Sequence, residues 1–244
     1  LGRYFRQNII NPTSEKTHLV ATNDGSFFSD LGEKIVVGGW INPTTYSVGQ
    51  TYIPIFNTRQ GPGQPIFYVS LFQGRLRLML YNDSGSLIYD QTETPTITLK
   101  NNGWYFIASV IEVNNKRVQN LLCDRSDGAV WQSPVRTFTG DLNQSCVADI
   151  VMGMHANTYY YAGGFDDWFY ENDSLLTMED LISYFKSSIL ANGGDSAADV
   201  DALADPGSVM LKATNGVYAQ SGQLFTIAAA CSLVGTGRGS VTSE

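Results

Sequence analysis

The stretch "YYYAGGFDDWFYENDSLLTMEDLISYF", Tyr159 to Phe185, joins a strand-like half to a helix-like half. In the first half, Tyr, Trp and Phe crowd round the adjacent pair Asp166 and Asp167. Phe165, Trp168 and Tyr170 are large aromatics whose ordinary fate is burial, so the segment reads as the closing strand of a sheet. In the second half, Thr177 stands where a helix cap would, with Asp180 three residues on in the pattern of a capping box. Leu181, Ile182, Phe185 and Ile189 recur at helical spacing, which predicts one short helix on the rim of the strands.

Outward from this stretch the strand signal repeats. "KIVVGGWINP" is stopped by Pro43, "TYIPIFNTR" runs into the Gly/Pro loop "QGPGQP", and "IFYVSLF" turns at Gln73-Gly74 into "RLRLMLYN". "WYFIASVIEV" and the hairpin "KRVQNLLCDRSDGAVWQS" continue the pattern. About a dozen short strands at turn spacings of roughly 8 to 12 residues predict an all-β sandwich or barrel, and no βαβ rhythm interrupts them. Residues 1–16 read as an N-terminal arm. Residues 191–244 read as a small, polar, acidic linker followed by an extra C-terminal β appendage, too small for a core of its own. The appendage is therefore expected to pack on the sandwich, on a sister subunit or in a larger assembly.

The totals narrow the function classes. The chain has 244 residues, is 43% hydrophobic and 16% charged, and carries 24 Gly, a profile that fits a packed, turn-rich β protein. Net charge is −8 with 15 scattered basic residues, so the clustered cations of a nucleic-acid binder are missing. No apolar run reaches the length of a membrane span. Three widely spaced Cys without a CxxC pair leave open one disulfide plus a free thiol, or three buried thiols.

The order of the pieces resembles the laminin G-like, concanavalin A-like family of the lectin–glucanase superfamily. "IVVGGWINPT" (Ile35–Thr44) is similar to that family's early strand and Pro-bearing turn. "FYVSLFQGRLRLMLYN" (Phe67–Asn82) resembles its paired strands around a Gly turn, and "NNGWYFIASVI" (Asn101–Ile111) its strand opening with Trp. "ADIVMGMHANTYYYAGGFDDWFYENDSLLTMEDL" (Ala148–Leu181) is similar to its ending of strand, loop, strand and short helix. The resemblance covers residues 17–190 and implies a jelly-roll β-sandwich with one short rim helix.

The chemistry of relatives was tested residue by residue. Glycoside hydrolases of this sandwich carry Glu-x-Asp-x-Glu or Glu-x-Asp-x-x-Glu, because period two sets those carboxylates on one concave face. No such run is present: "DDWFYE" has Phe169 where the middle carboxylate would stand. Glu112, Glu171 and Asp167 are the residues on which an atypical hydrolase or lyase would rest. His18 and His155 stand alone and in no nucleophile context. Many relatives use a rim calcium, which takes six to eight oxygens from Asp, Asn and loop carbonyls; Asp166, Asp167, Asp141 and Asn143 are the candidate ligands. Sugar binding needs an aromatic platform and a few polar forks. Tyr159, Tyr160 and Tyr161, with Trp131, are the candidate platform, and Asn57 and Arg59 the candidate forks. The expectation is a non-catalytic domain recognising a glycan or cell-surface polysaccharide. Its expected setting is extracellular, on a cell surface or virion such as a phage tail or capsid appendage, in an oligomer or larger assembly, without nucleic acid or membrane insertion. The rival expectation is a purely structural virion or assembly protein.

Overall fold

The structure, a computed structural model, describes residues 4–7, 18–21, 31–43, 52–60, 66–146, 148–155, 159–172, 174–190, 209–212, 216–219, 225–228 and 231–234. In chain order these form β1 (Tyr4–Gln7), β2 (His18–Ala21), β3 (Lys34–Pro43), β4 (Ile53–Gln60), β5 (Phe67–Phe72), β6 (Arg75–Tyr81), β7 (Leu87–Thr92), β8 (Tyr105–Glu112), β9 (Arg117–Asp124) and β10 (Val130–Gln132). There follow β11 (Arg136–Thr137), β12 (Asp149–Met152), β13 (Met154–His155), β14 (Tyr159–Tyr160), β15 (Gly163–Asn172) and the helix α1 (Met178–Leu190). Four short strands complete the series: β16 (Val209–Lys212), β17 (Gly216–Ala219), β18 (Phe225–Ala228) and β19 (Cys231–Val234).

Two antiparallel sheets stack face to face. One runs β10-β9-β8-β3-β15-β1-β19, with β11 also on β9 and the β16–β17 hairpin on β15. The other runs β18-β2-β12-β4-β5-β6-β7. The segment read as an arm thus contributes β1, which lies between β15 and β19. The strands of the C-terminal appendage extend both sheets of the sandwich through β15, β1 and β2.

The core lies between the sheets, where Ile35, Val37 and Ile41 of β3 meet Phe67, Val69 and Leu71 of β5. From Ile35 to Pro43, β3 is buried without alternation, because its second face is covered too. Val36 and Trp40 point away from the core and pack with Phe106, Leu181, Tyr184 and Phe185 beneath α1. Trp40 donates to the Tyr184 hydroxyl at 3.4 Å. The helix begins as its sequence predicts. The Thr177 Oγ1 accepts from the Asp180 amide at 3.2 Å, and the Asp180 Oδ2 accepts from the Thr177 amide at 2.8 Å.

The aperiodic run "FDDWFY" is explained by a β-bulge. The β15–β3 register steps from Asp166↔Trp40 to Phe169↔Gly38, so Asp167 and Trp168 oppose the single residue Gly39. Strict period two would send Phe165 and Trp168 to opposite faces. The extra residue turns both inward with Tyr170, while Phe169 goes to the helix side. The aromatics then form a chain across the sandwich: Phe165 to Trp168 at 6.2 Å, Trp168 to Phe56 at 5.6 Å, Phe56 to Phe67 at 5.6 Å and Phe67 to Tyr170 at 5.7 Å. Gly39 makes the bulge possible. A Cβ there would lie 2.6 Å from the Trp168 Cα and 2.5 Å from its ring, and the residue has φ 156°.

Cys123 and Cys146 are free and buried, so neither belongs to a disulfide. Burial pushes the Cys123 thiol far above its usual range. It is expected to resist alkylation at pH 8 until the chain is unfolded, as followed by mass spectrometry. Gly39→Ala should destabilise the fold by more than about 2 kcal/mol through overpacking. Trp168→Ala should cost about 3–5 kcal/mol through the cavity it leaves. Urea denaturation measures both.

Candidate functional site

The seven-stranded sheet turns a second face away from the core. Phe67, Val69 and Leu71 of β5, with Leu76, Leu78 and Leu80 of β6, point inward. Period two therefore sets Tyr68, Ser70 and Phe72, with Arg77, Met79 and Tyr81, on the outer face. The register carries one row of this face across four strands: Asn57↔Tyr68, Tyr68↔Met79 and Met79↔Asp90. Tyr52 packs on Tyr68 at 5.3 Å between ring centroids. Asn57, Tyr68 and Ser70 are enclosed, whereas Tyr52 and Phe72 are half-buried at the margin.

A fixed polar fork stands on this margin. Arg77 donates from Nε to Asp90 Oδ1 at 2.8 Å and from Nη2 to Asp90 Oδ2 at 2.6 Å. Its guanidinium carbon lies 5.0 Å from the centre of the Phe72 ring. The hydrogen bond to Asp90 raises the Arg77 pKa further. The side chains keep 21% and 34% of their surface exposed, so the pair adds little stability. What it supplies is orientation: a planar cation held over an aromatic ring, with three N–H groups beyond those given to Asp90.

The residues singled out from sequence fall in several places. Tyr161 is fully buried in the core and donates its hydroxyl to the Gly164 carbonyl at 2.9 Å, so its ring faces Phe165 at 4.4 Å rather than solvent. Tyr159 and Tyr160 form β14 against β13; their side chains lie outside the described residues. Trp131 is half-buried on β10 and packs on the core edge. Asn57 joins the outer-face row. Arg59 is on β4 of the same sheet, with its side chain outside the described residues.

Of the candidate calcium ligands, Asp141 faces Lys116 at 3.0 Å. Asn143 is buried, and its Oδ1 accepts from the amide and hydroxyl of Ser145 at 2.9 and 3.0 Å. Those oxygens serve an ion pair and a turn. Asp166 and Asp167 lie at the β15 bulge, with their side chains outside the described residues. Among the described residues no group of three or more His, Cys, Asp or Glu comes together. Two of the three carboxylates named for an atypical enzyme have local partners: Glu171 accepts from Ser174 at 2.7 Å, and Glu112 from Asn115 at 3.0 Å. No helix among the described residues is long and apolar enough to cross a membrane.

Comparison with known proteins places the architecture. No protein-family model matches the sequence, and neither does any curated protein. Solved structures do match. The heptameric SAP-like pentraxin of Limulus polyphemus is 12% identical with a TM-score of 0.59, over 95% of this chain and 94% of its own. A Bacteroides ovatus protein assigned as carbohydrate-binding is 10% identical with a TM-score of 0.52, over 87% of this chain and 52% of its own. The receptor-binding domain of botulinum neurotoxin mosaic serotype C/D is 14% identical with a TM-score of 0.53, over 78% of this chain and 43% of its own. This chain therefore spans about half of the Bacteroides protein and less than half of the toxin domain. The likeness is one of fold. The protein is an all-β jelly-roll sandwich of two antiparallel sheets, with one short helix among the described residues.

Sequence reasoning passed over Tyr52, Phe72, Arg77 and Asp90. The alternation in "FYVSLF" and "RLRLMLY" was visible, but both of its faces hold large apolar residues, so it did not say which one meets the core.

Burial raises the pKa of Tyr161 and Tyr170 well above the usual tyrosine range. A tyrosine protonated in the fold and free to ionise when unfolded favours the folded state up to the unfolded pKa of about 10. Stability should therefore be insensitive to these two groups below about pH 10 and fall as pH rises beyond it. Absorbance titration near 295 nm should show fewer tyrosines ionising at pH 10 to 11 in the native protein than in urea.

Proposed function

We propose that the chain is a non-catalytic carbohydrate-recognition domain whose ligand lies on the outer margin of the seven-stranded sheet. The carrying observation is the Arg77–Asp90 fork held against Phe72, near the half-buried Tyr52. Sugars present apolar CH faces, which suit aromatic rings, and vicinal hydroxyls, which suit a planar donor fork beside a carboxylate. The fold likeness to a protein assigned as carbohydrate-binding and to a receptor-binding domain supports the reading. We place the domain in the laminin G-like branch of the superfamily, in an extracellular, cell-surface or virion setting. The pentraxin of similar fold is heptameric; an oligomer or larger assembly belongs to the proposal. The proposed calcium ligands are Asp166, Asp167, Asp141 and Asn143, of which Asp141 pairs with Lys116 and Asn143 holds a turn.

The test is a broad glycan array on the purified chain, with calcium and again with EDTA. The expected result is a glycan hit that Arg77→Met weakens by about tenfold, the size of one charge-assisted hydrogen bond, with the thermal midpoint kept. Trp131→Ala should leave the hit unchanged, since that ring packs on the core edge. Loss of the hit in EDTA would assign calcium a role, and survival would remove it. Silence in both arms, with working controls, would overturn the recognition reading in favour of a purely structural assembly protein.

A further inference from the structure

Phe72 and Arg75 close the hairpin between β5 and β6. The two residues of its turn, Gln73 and Gly74, both have positive φ, 47° and 77°, as a two-residue type I′ turn requires. So tight a turn makes Phe72 and Arg75 register partners, with Cβ atoms roughly 5 Å apart. The inward residues are Leu71 and Leu76, so Phe72 and Arg75 share the outer face, and the next outer-face pair is Ser70 and Arg77. Arg75 therefore stands one outer-face step from Arg77, about 7 Å along β6. Phe72 faces Arg75 across the ladder and has the Arg77 guanidinium carbon 5.0 Å from its ring centre.

The two arginines differ in what answers their charge. Arg77 has Asp90, whereas Arg75 is exposed and enters none of the ion pairs among the described residues. A carboxylate does come close in the ladder, and the fold turns it away. Glu93 follows β7, the last strand of its sheet, and its amide donates to the Leu76 carbonyl at 2.8 Å, which sets its backbone beside the residue after Arg75. Its side chain is wholly buried and runs inward. There Glu93 Oε1 accepts from Asn120 Nδ2 at 3.0 Å, and Asn120 Oδ1 accepts from the Ser109 hydroxyl at 2.7 Å. Arg136 of β11 completes the network, donating from Nε to Glu93 Oε1 at 3.2 Å and from Nη2 to Oε2 at 3.1 Å. A buried carboxylate must be held in this way, and one so held does not serve Arg75. The margin formed by Phe72, Arg75, Arg77 and Asp90 thus sets two cations against one carboxylate, within a chain of net charge −8. Distant charges are screened beyond about 8 Å at physiological salt, so the local cation governs what is attracted there.

We infer that Arg75 makes the outer-margin site selective for an acidic saccharide, whose carboxylate or sulfate pairs with the Arg75 guanidinium while its hydroxyls meet the Arg77–Asp90 fork. This rests on the carbohydrate reading above and names the ligand class of the same site. Carboxylate and sulfate share the chemistry that matters: two oxygens of one anion match two N–H groups of one guanidinium. The division of labour follows from the partners already in place. Asp90 takes two N–H groups of Arg77 and repels a second anion beside it, so the fork suits neutral hydroxyls. Arg75, with its charge unanswered, suits the anion. The type I′ turn fixes the backbone of Arg75 against Phe72, so the distance between the two arginines is set before a ligand arrives.

The experiment is isothermal titration with neutral gluco-, galacto- and manno-oligosaccharides, the corresponding uronate oligomers and their O-sulfated forms, at low and at high salt. The wild-type protein, Arg75→Gln and Arg77→Met are compared, with thermal midpoints recorded for each. The expected result is an acidic series that binds the wild type about tenfold more tightly than its neutral counterpart, the size of one charge-assisted hydrogen bond, with the difference shrinking as salt rises. Arg75→Gln should bring that ratio close to one while keeping the neutral affinity and the thermal midpoint. Arg77→Met should weaken neutral and acidic members alike. Whichever of the uronate and sulfate arms carries the preference names the anion. Neutral sugars bound as tightly as both acidic forms overturn the acidic assignment and leave the recognition reading standing. An acidic preference that survives Arg75→Gln overturns the role of Arg75. If no oligosaccharide binds the wild type, the recognition reading and this assignment fall together.

Discussion

The sandwich depends on a single extra residue in β15. Asp167 and Trp168 share the place opposite Gly39, and that step lets Phe165, Trp168 and Tyr170 all enter the space between the sheets. Once there, they reach Phe56 and Phe67 of the opposing sheet. The contact needs a bulge on one strand and a residue without a Cβ on the other, because a side chain at residue 39 would occupy the position of the Trp168 backbone. The same step sends Phe169 to the far face, where it joins the cluster under α1. One irregularity therefore serves both apolar layers.

The position of α1 divides the outer surfaces between the two sheets. Leu181, Tyr184 and Phe185 cover Trp40 and Phe106, so part of the larger sheet's outer face becomes a second core. Among the described residues no helix lies over the outer face of the smaller sheet, and at its margin Tyr52, Phe72, Arg77 and Asp90 keep part of their surface exposed. The capping of α1 by Thr177 and Asp180 thus bears on function indirectly, by starting the helix where it lies over Trp40.

Polar order in this molecule runs inward from the open edge. Ser109, Asn120 and Glu93 stand at polar positions at the end of the core and hold Arg136 of β11, while the Arg77–Asp90 pair stands on the outer face of the smaller sheet. The two arginines are anchored by different means, one by a buried carboxylate and one by an exposed carboxylate and an aromatic ring. Each keeps N–H groups beyond those given to its carboxylate, while its charge is offset locally.

The sequence by itself determined the class of the fold and its local signals. Repeated short apolar runs between turn residues demanded stacked sheets, "TMED" marked a helix start, and the aromatics of "FDDWFY" were read as a packed closing strand; each depends only on neighbours within a few residues. The tertiary structure decided the faces and the site. Which side of "FYVSLF" meets the core is a property of what lies across from it, and Tyr161 entered the core although its run of three Tyr suggested a surface. Glu93 and Arg136 are 43 residues apart, and Asn120 lies between them in the chain but behind them in the fold. Arg77 and Asp90 were each visible as ordinary strand residues, and only the register of β6 with β7 set them on one face as a pair. Long-range pairing of this kind has no local signature, because it is chosen by the burial of the whole sheet.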